Sequence, residues 1–441
     1  VQQEDYRATF IVMAGLAAAT ITGFLRQAAI AYRLGAGRVT DIYLVAFAVP
    51  EFVSIALPII LPPAFIPFFA ECRQQHGEAA ARRFALRVAG ALLAALLAFT
   101  LAAGVGAPLY LRWLAPGFAP AERAQAVWTT RLMLPAIGLM GLSTLTGAVL
   151  QVYRRFVRPA LATAVYNLVF IGTLLLAPLA APLGRAGWGV TLGAAAALVF
   201  QLALLRRRSL PVSAMHTAGV SARHPPGVRD VARLLMPLGA GYAVHHLILF
   251  IDRAMATTLG AGSAAALNYA YHLALAVGQL SGLAVSTALF PRLAEQVAAG
   301  DLPGARAGLA GALRFTMAVG LPATLGLILL RVPLVQILLE HGAFDAAATT
   351  AVSRVLPWYA LAVLADALCQ PLWRVVYAQR SMWTVLAVNC VQTFLRLVGN
   401  LALIPVSGYN GLAISAAGGL LVQAAILGGL VHRRLGNDLK K

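Results

Sequence analysis

Residues 88–111 read VAGALLAALLAFTLAAGVGAPLYL, an unbroken run without a single charge, closed by Arg87 on one side and Arg112 on the other. An α-helix rises 1.5 Å per residue, so a run of this length covers about 36 Å. The hydrocarbon core of a bilayer is about 30 Å thick. The run is therefore read as a membrane span. Comparable runs, bounded by arginines or Gly/Pro turns, fill the rest of the chain. They predict helices near 8–33, 42–70, 86–111, 126–153, 160–182 and 187–205, then near 234–258, 264–290, 313–338, 351–378, 382–404 and 410–432. Composition agrees: 60% of the 441 residues are hydrophobic and 11% are charged, against about 25% charged in soluble domains. The expected fold is an all-α polytopic membrane protein of about 12 transmembrane helices.

The formal charge of +19 comes from 34 basic and 15 acidic residues. In a soluble protein it would point to nucleic acid. Here the basic residues sit between apolar runs, as topology signals do, so membrane lipids are expected partners and nucleic acid is not. With the N-terminus in the cytoplasm, 23 of the 34 basic residues fall on the cytoplasmic side, 7 opposite and four (Arg26, Arg131, Arg253, Arg396) inside spans. Both termini are thus expected to be cytoplasmic, in a multi-pass membrane protein.

The longest polar stretch, Arg206 to Arg233, contains Pro211, Pro225 and Pro226 and separates two sets of six predicted helices. The expected organisation is an N-terminal six-helix lobe over 1–208, a cytoplasmic linker over 209–232 and a C-terminal six-helix lobe over 233–441. A faint repeat supports duplication: Leu34-Gly35-Ala36-Gly37 returns as Leu259-Gly260-Ala261-Gly262, and Glu71 and Tyr153 return as Glu295 and Tyr377 at nearly the same offset. Six is even, so the lobes are expected to be parallel repeats, with the substrate between them.

Chemistry is sparse. Cys72, Cys369 and Cys390 lie far apart, and no Walker A, HExxH or GxSxG pattern occurs, which argues against disulfide, metal, ATPase or hydrolase chemistry. The chain reads as a transporter, not an enzyme, with no cofactor. Coupling to membrane potential, a proton or a monovalent cation stays open. An ionisable residue inside a span costs roughly 2.5–3.5 kcal/mol on insertion scales and marks a functional or paired group. Arg26, with Gln27 beside it, lies deep in the first helix and either faces a substrate or snorkels to the outer interface. Asp41 opens the second helix, where a carboxylate caps a helix N-terminus or pairs with Arg26 or Arg38. Glu51, after Pro50, suggests a cavity or cation-coupling role. His245, His246, Asp252 and Arg253 cluster in the seventh helix, with Arg253 either an anion contact or an interfacial anchor. Asp366 and Arg396, at comparable depth on adjacent helices, are expected to form a buried pair. Arg131 is expected at the interface, and Glu71 to Arg87 along the cytoplasmic headgroups.

Several stretches resemble one family. Gly23-Phe24-Leu25-Arg26-Gln27, Leu34 to Gly37, Thr40-Asp41 and Val45-Ala46-Phe47 look like the start of MurJ/MviN-type lipid II flippases, in the multidrug/oligosaccharidyl-lipid/polysaccharide exporter superfamily. Ala115-Pro116-Gly117-Phe118, Gly147 to Leu150 through Arg158-Pro159-Ala160, Asn268-Tyr269-Ala270, Leu289 to Leu293 and His341 to Asp345 are similar along the rest of the chain. The resemblance implies two lobes forming a V-shaped cleft, and translocation of a polyprenyl-pyrophosphate-linked saccharide across the bacterial inner membrane by alternating access. It also implies arginines that meet the pyrophosphate. Arg26 keeps the family's arginine, whereas Gln27 replaces an aspartate and Thr20, Ser54 and His272 stand where arginines are expected. The resemblance assigns Arg26, Gln27, Ser54 and His272 to substrate binding, and the charges inside spans add Arg253 there and assign Asp41, Glu51, Asp252, Asp366 and Arg396 to charge pairing or coupling. Envelope biosynthesis proteins are further partners under this reading. The alternatives are a cation-coupled multidrug or toxin exporter of the same superfamily and a non-transporting cell-envelope scaffold.

Overall fold

The computed structural model describes residues 2–153, 155, 157–177, 181–206, 227–288, 301–378 and 382–437. Among them there is no strand. In chain order the helices are α1 (Gln2–Leu34), α2 (Arg38–Leu114), α3 (Pro120–Met133), α4 (Pro135–Val152), α5 (Val157–Leu176), α6 (Pro182–Arg206), α7 (Val228–Thr257) and α8 (Ser263–Ala288). They continue as α9 (Leu302–Leu329), α10 (Arg331–Leu339), α11 (Ala346–Ala378), α12 (Met382–Ser407) and α13 (Asn410–Asn437). Nine stretches among the described residues are long and apolar enough to cross a bilayer. The first is the 77-residue α2, which turns at Gly77 (φ 79°, ψ 174°) and so holds two spans. α1 and α8, of 33 and 26 residues, also exceed the length a span needs. The chain is an all-α, multi-pass membrane protein.

Side-chain exposure has the sign that lipid demands. Leu101, Val105 and Trp113 are 70%, 81% and 80% exposed on the second half of α2. In water such a face would aggregate, but against acyl chains it is the only face that costs nothing to leave uncovered. Helix starts follow local chemistry. Proline stands at the first turn of α3, α4 and α9, where its missing N–H is no loss. Asp301 accepts from the Gly304 amide at 2.9 Å at the start of α9, and Glu122 accepts from the Ala119 amide at 2.8 Å at the start of α3.

The chain divides into two compact units, residues 1–34 with 42–250, and residues 35–41 with 251–441. The expected 209–232 linker lies mostly outside the described residues, as do Glu295, Leu289 to Leu293 and the Tyr377 side chain, and also that of His245. In the first unit α1 packs along α5, α5 along α6, and α6 along α3 and α4. A core at one end of the bundle joins both halves of α2 to α4 and α7 through Phe65, Phe69, Phe84, Leu145, Val152 and Val231. Around it Arg73 pairs with Glu78 at 3.2 Å and lies 4.6 Å over the Tyr153 ring, whose hydroxyl donates to Glu78. Burial and that neighbouring carboxylate push the Tyr153 phenol up. The stretch expected to lie flat on headgroups is thus partly folded inward. Glu71 and Arg73 turn into the protein while Arg82, Arg83 and Arg87 remain exposed, because Gly77 breaks the helix between the two groups. Arg131 is exposed and donates from Nε to the Gly104 carbonyl at 3.1 Å.

In the second unit α11 packs against α8, α9 and α13, and α12 against α13. The α1–α2 turn belongs to this unit. The Gly35 carbonyl accepts from Thr40 Oγ1 at 2.7 Å and Tyr269 Oη at 2.8 Å. Asp41, wholly buried, accepts from the Gly262 amide at 2.6 Å and the Ala265 amide at 2.9 Å. Asp41 therefore caps α8 and not the helix it opens, with Arg38 at 3.9 Å. Gly262, at φ 85°, leaves no room for a Cβ against the Ala36 carbonyl. The two Gly-Ala-Gly turns that the sequence shows as a repeat pack on one another. Asp41→Ala removes a charged cap from a buried helix start, and caps are worth about 0.5–2 kcal/mol. Thermal unfolding of the purified variant is expected to show that loss, with Asp41→Asn intermediate. An unchanged unfolding midpoint in both would overturn the capping role.

Candidate functional site

Arg26 stands eight residues before the end of α1, about 12 Å along the axis from it. Two aromatic residues one turn apart on α5 receive its guanidinium. Nη1 donates to Tyr166 Oη at 3.4 Å, and the group lies 5.6 Å from the Tyr166 ring centroid and 5.7 Å from that of Phe170. Within about 6 Å of a ring face a cation is attracted by the quadrupole, more strongly where water is excluded. Glu51 on α2 adds electrostatic attraction. Tyr43 completes the wall, 6.4 Å from Phe170 and stacked on Phe47.

Close helix approach positions this wall. A Cβ on Gly193 of α6 would meet the Tyr166 carbonyl at 2.8 Å, and one on Gly189 would meet Phe170 at 3.0 Å. Bare backbone on α6 therefore lets α5 sit where its rings reach Arg26. One turn back on α1, Thr22 Oγ1 accepts from Asn167 Nδ2 at 3.2 Å. Two polar atoms are left over: Arg26 Nε and Gln27 Oε1 are buried and make no hydrogen bond among the described residues. An unsatisfied buried donor on a fixed charge is costly. An anionic ligand would satisfy it, and a guanidinium fork matches phosphate oxygens in pairs.

The remaining expected residues are dispersed. Ser54 Oγ donates to the Glu51 carbonyl at 2.8 Å within its own helix. His272 packs edge to face on Tyr271 at 5.5 Å, and Tyr271 on Tyr359 at 5.7 Å, in the second unit, which also holds Arg253. The expected Asp366–Arg396 pair is not formed. Arg396 forms its ion pair with Asp252, whose other oxygen accepts from Asn400 Nδ2 at 2.6 Å. Asp366 is met by Gln370 one turn on, at 3.4–3.5 Å. Depth along α11 and α12 brought Asp366 and Arg396 level, but rotation about α12 turns the guanidinium toward α7. Both members of the Asp252–Arg396 pair are nearly buried, at 14% and 12% exposure. Among the described residues no group of three or more His, Cys, Asp or Glu is placed to hold a metal, and Cys72, Cys369 and Cys390 are free thiols.

Sequence reasoning missed Tyr166, Phe170 and Asn400. An available signal was spacing: Tyr166 and Phe170 are i,i+4 on one helix, and Asn400 follows Arg396 by the same step.

The thirteen helices of the described residues, nine of whose stretches can each cross a bilayer, define a multi-pass membrane protein. Structural comparison agrees as to fold. A lipid II flippase MurJ in an inward closed conformation superposes with a TM-score of 0.80 at 19% identity, over 96% of this chain and 87% of that one. An inward-facing MATE family multidrug resistance transporter of the MOP superfamily gives 0.79 at 13%, over 96% of each. Sequence separates the two. The lipid II flippase MurJ family model matches residues 30–441. Lipid II flippase MurJ of Burkholderia cenocepacia is 29% identical over 427 residues, 96% of this chain and 83% of its own. A probable lipid II flippase MurJ of Rhizobium tropici is 30% identical over 428 residues, 94% and 78% respectively. The chain belongs to the lipid II flippase MurJ family.

Proposed function

We propose that the chain translocates lipid II, a polyprenyl-pyrophosphate-linked saccharide, across the cytoplasmic membrane by alternating access, with Arg26 gripping the pyrophosphate. The observation that carries this reading is the Arg26 guanidinium, set against the Tyr166 and Phe170 rings with its Nε buried and unbonded among the described residues. Family membership supplies the cargo. The bias of basic residues supports both termini in the cytoplasm, and an N-terminal and a C-terminal lobe moving about the linker fits the sequence repeat.

An exporter coupled to a cation needs an uncommitted carboxylate in its core. Asp252 is neutralised by Arg396, Asp41 caps α8, and Glu51 acts on Arg26. Three of the four candidate carboxylates are thus engaged, which favours the flippase over the exporter. Asp366, met by Gln370 one turn on, is the carboxylate we assign to any coupling by a proton or monovalent cation. The test is rescue: cells depleted of their own lipid II flippase should survive when this chain is expressed. Death of those cells with the protein inserted at normal levels would count against lipid II as the cargo.

A further inference from the structure

Arg83 and Arg87 are exposed on the second half of α2, in the turns that lead into its uncharged run. Gly77 is where the α2 backbone leaves helical geometry, so the register beyond it is unbroken. Arg83 and Leu101 are 18 residues apart, as are Arg87 and Val105, and 18 residues complete five turns of an α-helix. Each arginine is therefore in line with one of the side chains, 70% and 81% exposed, that mark the lipid face of this span. The uncharged run begins directly after Arg87, which puts both guanidiniums at the headgroup layer.

This line is free of acid. Glu71 and Glu78 are the acidic residues between positions 71 and 111. Glu71 is buried and accepts from Gln75 at 3.1 Å. Glu78 is held by Arg73 and the Tyr153 hydroxyl, and stands about 140° around the helix from Arg83 and about 180° from Arg87. Among the described residues no carboxylate pairs with either arginine. Topology signalling does not account for this sorting, since acidic residues contribute little to it. Two like charges one turn apart repel, so the face calls for an anion from outside the chain.

We propose that Arg83 and Arg87 hold the phosphate of an anionic phospholipid, whose acyl chains lie along the exposed face that runs from Leu86 to Val105. Residues four apart on a helix have Cβ atoms about 5–6 Å apart, close enough for two guanidiniums to share one phosphate. Their planar forks pair with its oxygens. Leu86, exposed between the two arginines, gives the start of a chain an apolar contact, and a Cβ on exposed Gly90 would meet nothing. Two arginines on one phosphate leave a positive charge over. That excess repels the ammonium of a zwitterionic headgroup and selects a net-negative one.

The experiment puts a reporter at the site in the full-length protein, reconstituted in vesicles. Leu86→Trp sets an indole between the arginines, and lipids brominated in their acyl chains quench its fluorescence on contact. Brominated phosphatidylglycerol should quench this added signal at a lower mole fraction than brominated phosphatidylcholine. Arg87→Gln in the same background should weaken that preference about fivefold, the worth of one arginine at a charged membrane surface. Arg83→Gln with Arg87→Gln should abolish it. The single change removes one of 34 basic residues, so it decides the matter if the double variant inserts poorly. Arg112→Gln, exposed at the opposite end of the run, should leave the preference intact. Equal quenching by the two lipids before any arginine is changed would overturn the site. So would an equal loss from Arg112→Gln, which would assign the preference to the charge of the whole protein. Inorganic phosphate added at constant ionic strength should not relieve the quenching; relief would make this a site for soluble anions and overturn the lipid.

Discussion

Arg26→Ala is expected to abolish flipping of fluorescent lipid II in liposomes while leaving the protein inserted and folded. The guanidinium contributes a charge-assisted contact worth about 1.5–3 kcal/mol, or roughly 10- to 150-fold in binding. Its partners on α5 are tyrosine and phenylalanine rings, which remain well packed without it, so stability should change little. Arg26→Lys should recover only part of the loss, because an ammonium lacks the planar fork that pairs with two phosphate oxygens. Wild-type flipping by Arg26→Ala would remove the anion site from the mechanism. Full rescue by lysine would make Arg26 a simple point charge at the membrane interface.

The second large effect lies in the other unit. Arg396→Leu leaves Asp252 buried beside Asn400 without its cation. Breaking one side of a buried pair costs about 3–5 kcal/mol, whereas replacing both members with neutral groups is often harmless. Arg396→Leu and Asp252→Leu should each lower the unfolding temperature in detergent substantially, and Asp252→Asn with Arg396→Leu should regain most of it. A double variant as unstable as the sum of the singles would show that the two charges act independently. If the double variant is stable and still flips lipid II, the pair holds the unit together and carries no coupling ion.

The spans were legible because runs such as 88–111 have no other explanation at that length and charge. Arg26 was legible for the same reason, since a charge in such a run needs a cause. What the sequence concealed was rotation. Successive residues on a helix point 100° apart, so depth alone could not tell whether Arg396 faces Asp366 or Asp252, and a small turn of α12 decides between them. Tyr166 and Phe170 were concealed differently. Aromatic residues are ordinary in an apolar span, and only Gly189 and Gly193 on the neighbouring helix show that α5 approaches closely enough to matter. Asp41 lay between these cases. The repeated Gly-Ala-Gly turns marked both partners, but no local pattern announces a cap on a helix start more than two hundred residues downstream.

That last contact sets an order of events during synthesis. Asp41 and the Gly262 amide are 221 residues apart, and ribosomes add about 5–20 residues per second. The carboxylate thus emerges roughly 10–40 s before the helix it caps exists. During that interval α1 and both halves of α2 are already in the bilayer, with Asp41 lacking the two amides it will accept from. Insertion of α8 ends the wait, and the α1–α2 turn acquires these partners only when the second half of the chain arrives. A ribosome that stalls after the sixth helix would release an inserted fragment whose α1–α2 turn lacks the amides that Asp41 accepts from, a loose end open to quality-control proteolysis.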